Sequence, residues 1–384
     1  MVMGYIHVEV ISEQISKKPD KPSGDVLNSL RDNTSTIHLL CDGMGSGTQA
    51  NITATMCVAR ITELIRSGTT LRQAFANIVH SMENARKKDF SCAFLSVVRV
   101  LNDGVATVLT YEMPGAIFVS PRYSTPLKSI TQTFSEGVVG EASCSLNIGE
   151  GILLVSDGIT QAGIGKGLPY GWGIEGLNKF VNDSLRNGAN FKELPKLVLK
   201  EAKKIWQQKC EDDCTVSLVY CRKGRVINIL TGPPSDPDMD EIVVNKFLSN
   251  DGMKIICGAT TAKIVARVLG RELEINPNFK SMIAPPDYEI EGIDIVTEGA
   301  VTLNQLYNVW DADFNRMEKD SPVTNMYAMI NVTDRINMYI GKSKNPAGDD
   351  ISFTQSGILS REKILPLLTE KFRSEGKLVW IEEF

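Results

Sequence analysis

The chain has 384 residues, of which 42% are hydrophobic and 23% are charged, and its formal net charge is −5. This length predicts two domains, and this composition is typical of a globular protein and excludes a disordered or fibrous chain. The small negative charge, without a long basic run, argues against nucleic acid as the main partner. No stretch reaches the roughly 18 apolar residues of a membrane span, so we expect no membrane association.

The N-terminus lacks the features of a secretory signal. Its sequence MVMGYIHVEVISEQ has neither a basic start nor a continuous apolar core, and Tyr5–Ile11 alternates like a strand. The 8 cysteines include no C-x-x-C pair, and several sit in apolar or helical segments where a small buried thiol fits. We therefore expect a cytoplasmic protein with reduced cysteines.

The first part of the chain predicts strands around a pair of helices. Thr36–Cys41 is a predicted strand, and apolar residues recur at helical spacing over Thr48–Ser67 and Thr70–Lys88. Three strand-like runs follow between Ser91 and Ser120, and Asn102-Asp103-Gly104 among them is typical of a hairpin turn.

Further along, a strand is predicted at Gly151–Ser156, a glycine-rich loop at Gly163–Gly173, a helix at Asn190–Gln207 and a strand at Thr215–Tyr220. The helix pair among strands, followed by a strand meander and a helix, indicates an α+β fold with largely antiparallel sheets.

A domain boundary is predicted at Thr231–Asp240, where proline and aspartate cluster between regular elements. This gives one domain over residues 1–230 and a smaller one over 231–384. Strands and helices alternate in the second domain, which indicates an α/β fold. Its predicted elements are the strands Met253–Cys257, Ile293–Thr297 and Lys377–Ile381 and the helices from Gly258 to Leu269, from Glu298 to Tyr307 and near Arg361–Phe372.

Acidic residues stand at the ends of three core strands. Asp42 ends a strand before the glycine-rich string GMGSG, Asp157 ends the apolar run GILLVS, and Asp212-Asp213 directly precedes a strand. Each alone would be explained by a turn or a solvated loop. Together they predict carboxylates that converge at one end of a sheet, and such an oxygen-rich cluster suits Mg²⁺ or Mn²⁺.

The glycine string is also compared with a dinucleotide-binding loop, since Gly43-x-Gly45 follows a strand and precedes a helix. The third glycine of that fingerprint would replace Thr48, and Glu63, the acid at about the required 20-residue spacing, falls inside a helix. A carboxylate directly before the loop would also repel a pyrophosphate. The pattern therefore disfavours a nucleotide-linked oxidoreductase.

Four short motifs occur in order: SGD at 23–25, CDGMGSG at 41–47, SDG at 156–158 and DDCT at 212–215. In this order they resemble the metal-dependent protein phosphatases of the PPM family, in the bacterial branch of sporulation stage II protein E (SpoIIE). The resemblance covers residues 1–225 and implies a sandwich of two antiparallel sheets flanked by helices. It further implies two Mn²⁺ or Mg²⁺ ions at one edge of that sandwich.

The resemblance implies a role for each acidic residue. By motif position, Asp42 would bridge both metals, Gly43 would supply a backbone carbonyl, and Asp213 would support the ligands. The implied catalytic residues are Asp42, Asp157 and Asp212, and the implied metal-binding residues are Asp25, Asp42, Gly43, Asp157, Asp212 and Asp213.

The implied reaction is hydrolysis of phosphoserine or phosphothreonine on a bacterial signalling protein by a metal-activated water. In this branch the substrate is often an anti-sigma-factor antagonist. Eukaryotic members carry a histidine where this chain has Met44 and an N-terminal arginine that grips phosphate, which we do not locate here. The three histidines, His7, His38 and His80, favour core or surface roles.

The alternative hypothesis is a non-catalytic module that keeps the phosphatase fold and senses a ligand or partner. The intact set Asp42, Asp157 and Asp212 argues against it, because a decayed site would be expected to lose a ligand.

The second domain contains a candidate anion site. Cys257-Gly-Ala-Thr-Thr261 begins a helix, and backbone N–H groups and two hydroxyls there could bind an anion. A threonine N-cap explains the same residues. Thr297-Glu298-Gly299 also follows a strand, and with Asp294 nearby the two loops could face one pocket. We expect a regulatory or ligand-sensing domain with a small-molecule ligand near Thr260, Thr261 and Glu298.

Overall fold

The computed structural model describes residues 5–134, 137–275, 288–312, 317–318, 321–343 and 357–384. The chain divides into two compact units, one of Ile6–Lys223 and the other of Met1–Tyr5 with Gly224–Phe384. The division falls before the boundary that we placed after residue 230, because the strand Val226–Thr231 lies inside the second unit's sheet. None of the helices in these ranges is long and apolar enough to cross a membrane.

The N-terminal unit contains two antiparallel sheets, with the spatial orders β1-β11-β10-β6-β7 and β2-β3-β4-β5-β9-β8. Its helices are α1 (Thr48–Arg66), α2 (Leu71–Lys87), the single turn α3 (Asp157–Thr160), α4 (Gly173–Arg186) and α5 (Leu194–Ile205). Its strands are β1 (Ile6–Ile15), β2 (Asp25–Arg31), β3 (Ser35–Gly43), β4 (Ala93–Leu101), β5 (Val105–Tyr111), β6 (Ile117–Val119), β7 (Ser124–Pro126), β8 (Ile130–Phe134), β9 (Gly137–Ser145), β10 (Gly151–Val155) and β11 (Cys214–Lys223).

Three apolar layers hold this unit together. Between the sheets, Leu40 of β3 packs in the same cluster as Ile152 of β10. Leu39, the preceding residue, faces the opposite way and packs with Phe75 of α2, because successive side chains of a strand point to opposite faces. The helices α4 and α5 cover the other sheet, where Val181 packs in one cluster with its strands. The order helix, sheet, sheet, helix is the sandwich that the family resemblance implied.

Most predicted elements of this unit are confirmed, and the exceptions have local causes. The helix predicted over 190–207 begins only at Leu194, because the Asn190 side chain accepts a hydrogen bond from Lys192 N at 3.0 Å and starts a 3₁₀ turn instead. The helix α4 was not predicted. It opens at Gly173 and contains Gly176, and glycine is a poor helix former.

The C-terminal unit contains a single sheet in the described residues, with the order β14-β15-β16-β13-β12-β17-β18. The five strands from β16 to β18 in that order pair in parallel, whereas β14 and β15 pair antiparallel. Its helices are α6 (Asp240–Ser249), α7 (Ala259–Leu269), α8 (Ala300–Val309), α9 (Pro322–Asn331) and α10 (Arg361–Ser374). Its strands are β12 (Val226–Thr231), β13 (Met253–Cys257), β14 (Glu274–Ile275), β15 (Tyr288–Glu289), β16 (Ile295–Thr297), β17 (Arg335–Ile340) and β18 (Leu378–Glu383).

The parallel part of this sheet is doubly wound. The chain runs outward from β12 through β13 to β16, then returns to place β17 and β18 on the other side of β12. Residues of α6 and α7 pack on one face, and residues of α8, α9 and α10 pack on the other. The α/β prediction is confirmed, although it lacked the strands β12 and β17 and the helices α6 and α9.

Candidate metal centre

The strand register places two of the predicted carboxylates side by side. Asp25 is the first residue of β2 and pairs with Asp42, near the end of β3. Asp157 begins the turn that follows β10, and Asp212 lies just before β11. Because β10 and β11 pair antiparallel, with Val155 opposite Val216, the end of one strand meets the start of the other.

Hydrogen bonds join the loops that carry these carboxyl groups, because Gly43 N donates to Gly24 O at 3.2 Å and Gly24 N donates to Asp213 Oδ2 at 2.8 Å. Burial and the charges of Asp25, Asp157 and Asp212 raise the pKa of Asp42 to about 9. Burial and the charges of Asp213 and Asp157 raise the pKa of Asp25 to about 7. Carboxyl groups shift one another in this direction only at short range, where both cannot easily be charged. The structure therefore brings the acidic residues of all four motifs together.

Asp25 is the most deeply buried of the acidic residues that could bind a metal directly. Its side chain is 3% exposed, and its Oδ2 accepts a hydrogen bond from the Thr215 hydroxyl at 2.6 Å. Its Oδ1 is buried and has no hydrogen-bond partner among the described residues. A buried carboxylate oxygen left unpaired is costly, and a cation at this point would remove that cost.

Asp157 and Asp212 are less buried and are each oriented by a neighbour. Gln161 Nε2 donates to Asp157 Oδ2 at 2.7 Å, and the Asp213 backbone N–H donates to Asp212 Oδ1 at 2.9 Å. Burial raises the pKa of Asp157. Burial and the charge of Asp157 raise the pKa of Asp212, while the Lys17 ammonium group acts in the opposite direction. One oxygen of each carboxylate is therefore held by a named donor.

Asp213 has a different environment. It is 3% exposed, its Oδ1 accepts from Lys17 N at 2.8 Å, and its Oδ2 accepts from Gly24 N at 2.8 Å. Both oxygens are therefore used to hold the loop between β1 and β2. This geometry matches the supporting role that the resemblance implied for Asp213 more closely than direct metal binding.

Glycines allow the backbone to pack closely around these side chains. A Cβ on Gly43 would overlap the Ala50 carbonyl of α1, and a Cβ on Gly158 would overlap the Asp213 carbonyl oxygen. The Gly158 carbonyl in turn accepts a hydrogen bond from Trp206 Nε1 at 2.9 Å. The turn after β10 and the loop before β11 are thus in direct contact.

The donor set fits a hard divalent cation. It consists of carboxylate oxygens and backbone carbonyls, which are the groups that Mg²⁺ and Mn²⁺ prefer. Within the ranges that the structure describes, no three acidic, histidine or cysteine side chains lie in an arrangement that could hold a metal ion as it stands. Burial is the largest cause of the raised pKa values of Asp25 and Asp42, and repulsion from the neighbouring carboxylates adds to it.

The predicted anion loops of the C-terminal unit lie side by side, because Ala259 N donates to Glu298 O at 3.2 Å. Thr260 is exposed, whereas Thr261 is buried. Two expectations are wrong. The N-cap of α7 is Gly258 rather than a threonine. Asp294 accepts a hydrogen bond from Lys254 N at 2.7 Å, which places it at the opposite end of the parallel strands from these loops.

Comparison with family models gives a match to Stage II sporulation protein E (SpoIIE) over residues 32–222. Comparison with curated proteins gives no match. Several solved structures are similar. The PP2C phosphatase domain and regulatory-domain fragment of SpoIIE from Bacillus subtilis is 15% identical, with a TM-score of 0.47 over 57% of this chain and 63% of that chain. The match therefore spans less than two thirds of that structure.

Two further solved structures are similar to this chain. The RsbU and RsbW domains of a Mycobacterium tuberculosis protein are 14% identical, with a TM-score of 0.49 over 64% of this chain and 69% of that chain. RsbX in complex with magnesium is 16% identical, with a TM-score of 0.41 over 56% of this chain and 96% of that chain.

Proposed function

Because residues 32–222 belong to the SpoIIE family, we propose that the N-terminal unit is a Mn²⁺- or Mg²⁺-dependent phosphatase that hydrolyses phosphoserine or phosphothreonine on a protein. The observation that carries the proposal is the contact between four distant acidic motifs: Asp25 pairs with Asp42, Asp213 accepts from Gly24 N, and Gly158 packs against the Asp213 carbonyl. The proposed metal-binding groups are Asp25, Asp42, Asp157 and Asp212 with the Gly43 carbonyl, and Asp213 supports them.

When bound, the two divalent cations would acidify a water molecule at neutral pH and neutralise charge on the phosphoryl group. The protein's own contribution is to hold the oxygens in place. Thr215 fixes one oxygen of Asp25, and Gln161 fixes one oxygen of Asp157. Trp206 anchors the Gly158 carbonyl, which keeps the turn bearing Asp157 in position.

A histidine is not proposed to transfer a proton in this site. His38 is 2% exposed, and its ring nitrogens bond the hydroxyls of Ser29 at 2.8 Å and Ser217 at 2.7 Å. Burial lowers the pKa of His38 to about 4, so it is neutral at physiological pH. Its two hydrogen bonds identify it as a structural link between the two sheets.

The proposed substrate is a phosphorylated signalling protein, such as an anti-sigma-factor antagonist. This proposal rests on the family resemblance of the motifs. For the C-terminal unit we propose a regulatory, ligand-sensing role, with a small molecule bound near Thr260, Thr261 and Glu298. Its doubly wound sheet supports this role, since ligands of such sheets bind beside the carboxyl ends of the strands.

The experiment that tests the phosphatase proposal measures phosphate release from a phosphoserine peptide, with and without Mn²⁺. The wild type should require the metal, and a chelator should abolish turnover. Asp42→Asn should lower turnover by more than about a hundredfold, since even residues behind the ligands matter by 10–100-fold. Asp183→Asn, a change in the exposed charge of α4, serves as the control and should match the wild type.

If the wild type binds Mn²⁺ but releases no phosphate, the alternative of a non-catalytic binding module is favoured. If Asp42→Asn retains wild-type turnover, the proposed site is wrong.

A further inference from the structure

The loop between β1 and β2 combines exposed positive charge with a buried attachment. Lys17, Lys18 and Lys21 on this loop are all exposed. The loop is held at both ends by one buried carboxylate, because Asp213 accepts from the N–H groups of Lys17 and Gly24, each at 2.8 Å. Within the loop, Lys21 N donates to Lys18 O at 2.9 Å. Asp213, in the loop before β11, therefore holds the segment that carries the three lysines.

The attachment places the lysines around the candidate metal centre. Lys21 Cδ lies 3.0 Å, and Lys18 Cδ 3.8 Å, from where a Cβ of Gly47 would stand. Gly47 closes the glycine string that begins directly after Asp42 and is the N-cap of α1. On the other side, the Lys17 N–H is bonded to Asp213, the residue that directly follows Asp212. The lysines thus flank the acidic site on two sides.

The charges of the aspartates, the two cations and a phosphate monoester together indicate a role for these lysines in binding phosphate. Five aspartates meet at this edge, and together they carry more negative charge than two divalent cations neutralise. A phosphate monoester dianion approaching the loaded site would meet a net negative charge, which opposes binding. Three lysines beside the site would offset that repulsion. An exposed lysine loop is usually only a solvated surface, but this one is tied to a carboxylate of the site.

We propose that the β1–β2 loop is a phosphate-binding arm, in which Lys17, Lys18 and Lys21 contact the phosphoryl oxygens of the substrate and Asp213 positions the loop. This inference rests on the proposed phosphatase function and identifies the part of the site that recognises the phosphate dianion. Asp213 acts through the lysines, so it is a positioning residue.

The test compares the wild type with the triple variant Lys17→Ala, Lys18→Ala, Lys21→Ala. The matched control is Lys196→Ala, Lys200→Ala, Lys203→Ala, which removes the same charge from exposed positions of α5. We expect the loop variant to raise KM for a phosphoserine peptide and to weaken inorganic phosphate binding to the Mg²⁺-loaded protein by about tenfold, the sum of modest exposed charge contacts. The Mg²⁺ affinity should not change.

Calorimetric binding of inorganic phosphate separates this inference from the phosphatase proposal, because it requires no turnover. If the wild type binds phosphate more tightly than the loop variant does but hydrolyses no phosphopeptide, the phosphate-binding arm is supported and the proposed phosphatase activity is wrong. If the loop variant binds phosphate as tightly as the α5 control, the arm is wrong. Asp213→Asn, which loosens the loop, should weaken phosphate binding to the protein saturated with Mg²⁺, and phosphate binding as tight as in the wild type would show that Asp213 does not position the arm.

Discussion

Thr215 donates its hydroxyl hydrogen to Asp25 Oδ2 at 2.6 Å and so links the last residue of the motif at 212–215 to the carboxylate of the motif at 23–25. Thr215 lies on β11, and Asp25 begins β2 in the other sheet. Gln14 Nε2 donates both to the Asp25 carbonyl at 3.1 Å and to the Thr215 hydroxyl at 2.8 Å. The two sheets are therefore joined by side chains at the edge where the acidic groups meet.

Thr215→Val should weaken metal binding, because it removes the hydroxyl that orients Asp25 while keeping the side-chain shape. Loss of a hydrogen bond to a ligand of a metal site costs about 10–100-fold in affinity. Thr215→Ser keeps the hydroxyl and should stay close to the wild type. Calorimetric titration with Mn²⁺ measures the difference, and equal affinities for the valine and serine variants would show that the bond does not orient Asp25.

Gly158→Ala should disrupt the contact between the turn after β10 and the loop before β11. The added methyl group would overlap the Asp213 carbonyl oxygen, so one of the two segments must move. Overpacking of this kind typically destabilises a protein by about 1–3 kcal/mol. Gly115→Ala is the control, because a Cβ there meets nothing within 4 Å. Chemical denaturation should separate the two variants, and equal midpoints would contradict the packing described here.

His38 should remain neutral in the folded protein down to about pH 4, because burial lowers its pKa to about 4. In the unfolded chain its pKa is about 6.5, so the unfolded state alone takes up the proton between these values. The stability that His38 contributes is therefore fully present above pH 6.5. It is lost as pH falls toward 4, by up to about 3 kcal/mol.

NMR can follow this titration directly, because the chain has three histidines. The His38 ring signals should not shift between pH 7 and pH 5, whereas in urea all histidines should titrate near pH 6.5. A His38 titration near pH 6.5 in the folded protein would mean that its ring is accessible to water.

Asn337→Ala should destabilise the second unit by about 1–3 kcal/mol, since it leaves a buried amide oxygen unpaired. Asn337 Nδ2 donates to Asn228 Oδ1 at 2.9 Å between β17 and β12, and both residues are buried. Amide hydrogen exchange should become faster in β12 and β17 and remain unchanged in β10 and β11. Unchanged exchange in β12 and β17 would show that this pair contributes little.

The same asparagines explain why two neighbouring strands in the sheet of the C-terminal unit, β12 and β17, were not predicted from the sequence. The strands β12 and β17 contain a buried Asn228 and Asn337, which interrupt the apolar runs that mark buried parallel strands. The helix α4 was hidden by its two glycines, although Leu177, Val181 and Leu185 keep the spacing of one helix face. Buried polar residues and glycines therefore explain why β12, β17 and α4 were not predicted.

The acidic residues were identifiable from sequence because each stands beside a strand end or within a short motif. Their supporting partners were not, because hydrogen bonds such as Thr215 to Asp25 and Lys17 to Asp213 join residues far apart in the chain. No local pattern marks such a pair. The placement of Asp294 failed for a different reason, since Asp294 directly precedes β16 and Glu298 directly follows it, so the strand itself separates them.

The central claim is that carboxylates from four distant motifs bind divalent cations at one edge of the sandwich. Anomalous diffraction from crystals soaked in Mn²⁺ tests it most directly. The account predicts manganese peaks within coordination distance of Asp42, with Asp157 and Asp212 among the ligands. Manganese bound only away from Asp42, or an absence of bound manganese at saturating concentration, would contradict it.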